Sequence, residues 1–567
     1  MASLTAKVIK GKTYYYAREC QRVGGKPKIV RTVYLGSLDN ILAAAEGARE
    51  VPRPQSVDIA AFGDIVALYD LARRIGLVEI IDRHVPKRRQ GLSTGQYLLL
   101  TAINRAVHPT SKAKLADWYQ HTALTRLIPA TRKQLSSQSF WNHMNFFQEE
   151  HIEAIEAELS RRLVDQFGLS LQMLTYDGTN FFTYIKTTTE SELLERGHNK
   201  QKRGDLRQVN LGMLVTTDFH VPLFHKVYPG NVPDSTIFKR VTEGLRGRYV
   251  ALAGECEHIT LIFDKGNNSE EAFETLDDSG YHFVGSLVGS HHGDLLEVSL
   301  EEYQTLAGER LKDCLAFRTT KNVFGQERTI VVTYNENLLE GQLQGLTKNL
   351  EKTRQRLHEI QRSLRRRREG KVKGGKKPTV ASVNKQVEKS LSRQFMKGLF
   401  HYKVSEESGL PTLSWRTDSN ALARLVERNL GKTILFTDND DWSNEEIVLG
   451  YRAQHHIEDA FRDMKNPHYL GWAPMHHWTD QKIRVHAFSC VLGLTLTSLL
   501  ARSLHQREID VSMCRMYELL GGIRETLVIY PRKPGQKKHR TAASLSTLSD
   551  EQRTLFDALD LKHYAPN

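Results

Sequence analysis

Two aspartates stand where this chain could do chemistry. Asp177 closes the apolar run LQMLTYD, and Asp264 closes HITLIFD; a glycine follows closely in both cases. Short apolar runs of this kind read as buried strands, and the carboxyl ends of strands in an open α/β sheet present their groups to a crevice. Either Asp by itself reads as a turn residue. Two such strand ends in one α/β unit suit a hard divalent cation such as Mg2+, which prefers carboxylate oxygen. Close carboxylates repel one another unless cations neutralise them. Ions held in this way activate water, orient a phosphate and stabilise a leaving oxygen.

A third ligand has to come from another element. The segment EEIVLGYRAQHHIEDAFRDMK has helical spacing and offers Glu458, Asp459 and Asp463. On one continuous helix Tyr451, Gln454, Glu458, Arg462 and Lys465 share a stripe, and Asp459 is turned about 100° from Glu458. The stripe puts Glu458 beside a phenol, an amide and two cations, which suits a phosphate backbone on both sides of a metal site. An exposed helix face with i,i+4 ion pairs would carry the same pattern.

The surrounding elements divide the chain. Residues 1–56 hold TYYYAREC and KIVRTVYLG around a Gly-rich turn, a β-hairpin pattern closed by a linker at VPRPQS. Residues 57–166 read as a helical domain, with RKQLSSQSFWNHM as a candidate helix-turn-helix. From 167 to 290 strands dominate and then alternate with helices, including one from about Asp234, which predicts a mixed α/β sheet. Residues 291–440 read as an insertion: Leu339, Leu343, Leu346, Leu350, Leu357, Ile360 and Leu364 form a heptad seam. A basic tip follows, then a second amphipathic segment with Val383, Val387 and Leu391. Arg365, Arg366, Arg367 and Arg368 at that tip are candidate DNA phosphate contacts. Residues 441–505 open with a long helix, capped by Ser443 and Glu446 and stopped before Pro467; 506–567 form a C-terminal segment.

Composition narrows the partners. A net charge of +13, from 79 Lys and Arg against 66 Asp and Glu, favours a polyanion such as nucleic acid. Cys20, Cys256, Cys314, Cys490 and Cys514 are scattered with no CxxC pair, which argues against a zinc site or disulfide framework and fits a reducing cytoplasm. The first twenty or so residues lack an apolar signal-peptide core. The apolar stretch Ala487 to Ala501 is too short to span a bilayer and reads as a buried helix, so no membrane partner is expected.

Taken in order, YDGTNFF, RGDLRQVNLGMLVTTDFHVPLFHKVYPGNVPDSTIF, IFDKGNNS and YRAQHHIEDAFRDMK resemble the DDE transposases of bacterial insertion sequences. The likeness is to the branch with a long insertion before the catalytic Glu and a Tyr-Arg-Glu-Lys signature. Tyr451, Glu458 and Lys465 match that spacing; Gln454 stands where the Arg is expected, with Arg452 and Arg462 nearby. The resemblance covers roughly 170–500 and, more loosely, the N-terminal unit YYYAREC…YLG. It implies a multidomain α/β protein with a ribonuclease H-like core interrupted by the insertion, and Asp177, Asp264 and Glu458 as both catalytic residues and ligands of Mg2+, for which Mn2+ substitutes. It implies double-stranded DNA as partner, both terminal inverted repeats and target, hydrolysis that frees a 3′-hydroxyl for joining, and a homodimer assembled on DNA at the bacterial nucleoid. Tyr451, Arg452, Gln454, Arg462 and Lys465 are the expected DNA contacts beside the metals. A nuclease of the same fold without transposition, or a catalytically silent DNA-binding derivative, would share much of this pattern.

Overall fold

The computed structural model describes residues 2–23, 26–49, 53–87, 90–199, 201–233, 236–238, 242, 259–372, 374–532 and 539–566. The chain forms two compact units, one from Met1–Gly63 with Gly521–Asn567 and one from Asp64–Leu520. Most of the helix expected from Asp234 lies outside the described residues.

In the first unit the expected hairpin is Lys12–Val23 paired with Lys26–Gly36, and Ala2–Ile9 adds a third antiparallel strand on the other side of Lys12–Val23. The helix Leu38–Arg49 follows. Ser56–Ala61 pairs with Arg524–Tyr530, which in turn pairs with Arg540–Leu545. The segment after VPRPQS is therefore strand, and its partners come from the far end of the chain. No local pattern signals so distant a pairing.

The second unit is built on a nine-stranded sheet. Its strands are β1 (Met173–Thr183), β2 (Arg207–Thr216), β3 (Pro222–Pro229), β4 (Thr260–Ile262), β5 (His282–Leu287), β6 (Gln304–Thr305), β7 (Cys314–Val323), β8 (Gln326–Asn335) and β9 (Lys432–Thr437). The order across the sheet is β6-β7-β8-β9-β5-β4-β1-β2-β3. β4 lies parallel to both β1 and β5, and the other neighbours are antiparallel. The β3-β2-β1-β4-β5 portion is the ribonuclease H-like arrangement. β2 is buried along its whole length, as its run RQVNLGMLVT requires of a central strand covered on both faces.

Helices cover this sheet. The main ones are α1 (Thr94–Val107), α2 (Glu149–Phe167), α3 (Glu336–Arg368), α4 (Val380–Ser390), α5 (Asn444–Arg452), α6 (His455–Met464) and α7 (Asp480–His505). α7 is the expected buried helix, longer than its apolar stretch and enclosed along most of its length by α1, α2 and β3. It is long and apolar enough to cross a membrane, but here it is a core helix. The buried Arg105 on α1 donates to the carbonyls of Gly471, Trp472 and Ala473, which ties the loop after α6 to the helical layer.

Four expectations need correction. LQMLTYD and FFTYI are one strand, β1, so Asp177 lies mid-strand and not at a strand end; pairing with β2 carries the backbone straight past it. The long helix from 441 is two helices, α5 and α6, joined through Ala453 and Gln454 by tighter i→i−3 hydrogen bonds. α5 packs on β5, β8 and β9 and α6 on β1 and β2; a twisted sheet turns away beneath a straight helix, and the bend lets both halves stay in contact. The expected insertion, 291–440, is not simply a helical hairpin apart from the sheet: β6 to β9 extend the sheet beyond β5, and only the excursion 336–431 leaves it. Within the excursion, α3 and α4 pack with the hairpin Phe400–Glu407 and Leu410–Thr417 around a core of its own, with Leu357, Val387, Met396 and Leu413 inside. Finally, RKQLSSQSFWNHM supplies the eight-residue helix Ser137–Met144, but the helix before it, Leu124–Leu127, is a single turn. Phe140 and Met144 are buried, so this is a packing element and not a helix-turn-helix.

Candidate active site

Register brings the two aspartates together. Leu174 pairs with Leu261 and Thr175 with Ile262 between the parallel strands β1 and β4. Asp177 and Asp264 each lie two positions beyond that last rung, Asp177 within β1 and Asp264 just past the end of β4, so they leave neighbouring strands, about 4.8 Å apart, at the same level. β4 stops at Ile262 while β1 runs on, and the crevice opens where β4 ends. Asp264 has extended backbone and caps the short turn Lys265–Asn267.

α6 crosses the face of β1 that carries Asp177, Thr179 and Phe181, which alternate along the strand. Two contacts fix this placement: Lys465 donates to Thr179 Oγ1 at 2.6 Å, and its Nζ lies 5.5 Å from the centre of the Phe181 ring. Trp472 stacks on the same ring at 4.2 Å. Between these elements lies a cavity of about 900 Å³ lined by Asp177, Thr179, Asn180, Glu458, Arg462 and Lys465, among others. Gly266, beside Asp264, reaches its edge.

Tyr451 links the two sides. Its hydroxyl donates to Ser286 Oγ at 3.0 Å and to Asp264 Oδ1 at 3.4 Å, and Ser286 also donates to Asp264 at 3.1 Å. Burial, reinforced by the negative charges of Asp264 and Glu458, pushes the phenol up to about 12. It is therefore a fixed donor aimed at Asp264 throughout the neutral range.

The three acids on α6 face different ways. Glu458 lines the cavity. Asp459 pairs with Arg462 at 2.6 Å. Asp463 is buried on the far side of the helix, where its carboxylate lies 3.8 Å from His220 and burial pushes it up to about 6. Burial also holds His220 and His456 down to about 4, so both imidazoles are neutral at neutral pH, where Asp463 is mostly ionised.

Of the other expected contacts, Arg462 and Lys465 line the cavity, whereas Gln454 is buried in the α5–α6 joint. Arg452 turns away; it donates to the carbonyl of Arg310 and lines a separate crevice with Trp442, His455 and His456. In the excursion, Arg365 pairs with Glu369 and Arg368 with Glu407, both at 2.8 Å. Arg367 donates to the carbonyls of Gly374, Gly375 and Lys376 and so staples the basic tip. Arg366 is exposed on the outer turn of the same helix. Sequence reasoning missed Ser286 and Thr179. Ser286 sits in the strand YHFVGSL, whose only signal was its apolar run, and its role depends on β5 lying next to β4.

The donor set is chemically right for a hard divalent cation, since Asp177, Asp264 and Glu458 offer only carboxylate oxygen. Among the described residues, no three His, Cys, Asp or Glu side chains are gathered tightly enough to enclose a metal ion. Two buried amide atoms near the acids, Asn180 Nδ2 and Asn267 Oδ1, have no hydrogen-bond partner within the described residues. Buried orphans of this kind are what a bound polar ligand or its water would satisfy.

A family model described as the transposase DDE domain matches residues 182–496. The chain belongs to the DDE transposases. The matched span begins just past Asp177 and contains Asp264 and Glu458. The transposase has no match among curated proteins. Among solved structures it is similar to a piggyBac transposase synaptic complex with hairpin DNA, at 10% identity over 89% of this chain and 86% of that one, with a TM-score of 0.36. It is also similar to a Mos1 transposase paired-end complex with the left transposon end, at 9% identity over 35% of this chain and 60% of that one, with a TM-score of 0.15. As a member of its family the protein is a DNA-cleaving and DNA-joining enzyme that uses divalent metal ions.

Proposed function

We propose that this transposase acts at the ends of a bacterial insertion sequence, with Asp177, Asp264 and Glu458 as its catalytic carboxylates and Mg2+ as the physiological ion, for which Mn2+ substitutes. The observation that carries the reading is the pairing of β1 with β4, which sets Asp177 beside Asp264 at the mouth of the cavity that Glu458 lines. When bound, the ions supply an activated water or 3′-hydroxyl and stabilise the leaving oxygen. Asp177 and Asp264 would hold them from the sheet and Glu458 from the helix above it. Tyr451 keeps Asp264 oriented, directly and through Ser286. Lys465, anchored on Thr179 and Phe181, is placed to hold a phosphate next to the scissile bond.

The substrate we infer is double-stranded DNA, first the terminal inverted repeats and then the target, bound by a homodimer assembled on the DNA in the cytoplasm at the nucleoid. The test uses the full chain and a duplex bearing a terminal repeat. Asp177→Asn, Asp264→Asn and Glu458→Gln should each abolish Mg2+-dependent cleavage and strand transfer while leaving duplex affinity within a few-fold, because metal ligands act in chemistry and phosphate contacts dominate affinity. Cleavage at the wild-type rate by any one of them would remove that residue from the site.

A further inference from the structure

More than half of the chain's excess positive charge lies in one small sheet. Residues 1–36 contain eight Lys or Arg and a single carboxylate, Glu19, against a net charge of +13 for the whole chain. The strands Ala2–Ile9, Lys12–Val23 and Lys26–Gly36 carry seven of these eight cations in a defined register, and Lys10 lies in the turn between the first two. Lys7 stands opposite Tyr14, Thr5 opposite Tyr16 and Ile9 opposite Lys12; on the other side Tyr16 stands opposite Tyr34 and Arg18 opposite Thr32. Cross-strand partners share a face, and alternate residues return to it. One face therefore gathers Tyr14, Tyr16, Tyr34, Lys7, Lys12 and Arg18, with no carboxylate among them. The opposite face carries Thr13 and Tyr15, then Ala17 between Leu4 and Val33, and its Glu19 faces Arg31.

Tyr14, Tyr16 and Tyr34 form one cluster. Tyr34 lies 5.2 Å from Tyr16 and 6.0 Å from Tyr14 between ring centres, and Lys7 Nζ is 5.9 Å from the Tyr16 ring. Tyr34 is 57% exposed. The strands Ala2–Ile9 and Lys12–Val23, which carry all three cations of this face, form the kind of two-stranded ribbon that a major groove about 12 Å wide admits. Lysines and arginine neutralise phosphates, and phenol hydroxyls donate to phosphates or base edges.

We propose that this tyrosine-bearing face is a duplex-DNA binding surface that enters the groove as a sheet, in addition to whatever the catalytic unit touches. The proposal rests on DNA being the chain's substrate. It commits to duplex because the cations of the face lie on two adjacent strands, a ribbon of the width that a groove admits, and their charge complements a polyanion.

The test is the binding of the full chain to a mixed-sequence duplex and to a single strand of the same length, titrated over salt in the presence of EDTA so that nothing is cleaved. Lys7→Gln combined with Lys12→Gln, both at exposed positions, should lower the slope of log affinity against log salt by about 2, since each phosphate that is no longer neutralised on duplex lowers it by about 0.9. Arg31→Gln removes a charge from the opposite face and should leave the slope unchanged. Tyr34→Ala should weaken duplex binding roughly fivefold or more, with a smaller effect on the single strand, and all variants should keep the wild-type Tm. An unchanged slope in the double lysine variant, or an equal effect per charge in Arg31→Gln, would overturn the proposal. An equal weakening of single-strand binding in Tyr34→Ala would overturn the groove assignment. Failure of the wild-type chain to bind duplex in a salt-dependent way would instead overturn the underlying DNA reading.

Discussion

Tyr451→Phe removes one oxygen from the centre of the candidate site and leaves the ring in place. The missing hydroxyl is the one that donates to Ser286 at 3.0 Å and to Asp264 at 3.4 Å. A hydrogen bond to a charged group contributes about 1.5–3 kcal/mol. The longer of these two bonds is the one to the carboxylate, and Ser286 still donates to Asp264 in the variant. The lower end, about 1.5 kcal/mol, is therefore the appropriate figure, and it corresponds to roughly a tenfold slowing of the chemical step. The phenol comes from α5, is largely buried and does not line the cavity, so duplex affinity should stay within about twofold of wild type. Because the phenol is pushed up to about 12, it remains a donor across the neutral range and the deficit should not vary with pH there. Single-turnover cleavage at saturating protein measures this directly. Ser286→Ala should act in the same direction, and the double variant should lose less than the sum of the two, since both groups orient one carboxylate. A Tyr451→Phe rate within twofold of wild type, or a weakening of binding equal to the slowing of the rate, would refute the positioning argument.

The cations of α6 should separate in the same assay. Lys465→Ala should slow cleavage on the order of tenfold to a hundredfold with little change in affinity, because Lys465 is pre-positioned on Thr179 and Phe181. Arg462→Ala should change the rate by less than about threefold, since its guanidinium is 71% exposed and paired with Asp459, and such a pair contributes about 0–1 kcal/mol. Asp463→Asn should raise the Tm near pH 8, keep about half of that advantage near pH 5 and lose it below about pH 4. The Asp463 carboxyl titrates at about 6 in the fold against an ordinary 3.8, so the folded state holds the extra proton between those values. Its stabilising share is complete below the lower value and is lost as pH rises through the upper one, about 1–3 kcal/mol in all. A Tm difference independent of pH would contradict the burial of an ionised Asp463.

What could be read from residues alone was local. The apolar runs ending at Asp177 and Asp264 marked two neighbouring strands, and Ser443 with Glu446 marked the start of α5 down to its capping box. The heptad seam found α3, and Ala487 to Ala501 found the heart of α7. What escaped depended on partners distant in sequence. β1 runs past Asp177 because β2 pairs with it on the far side, which a period in one strand cannot reveal. The break between α5 and α6 contains no proline; it arises from a sheet that twists beneath a helix. β7 and β8 looked like part of the insertion because antiparallel strands at a sheet edge resemble any other hairpin. Arg365, Arg367 and Arg368 form one basic run in sequence, but the fold gives each a different carboxylate or carbonyl partner.

The excursion leaves the sheet at Asn335 and returns at Gly431, and the amide of Asn335 donates to the carbonyl of Gly431 at 2.9 Å. Tyr334 and Lys432 form the next rung down. Roughly a sixth of the chain thus hangs from a single closed neck and keeps its apolar core to itself. Lengthening, shortening or exchanging what lies beyond that neck shifts no rung between β1, β4 and β5, nor the seat of α6 above them. The cutting machinery and the appended module can therefore accumulate changes at different rates.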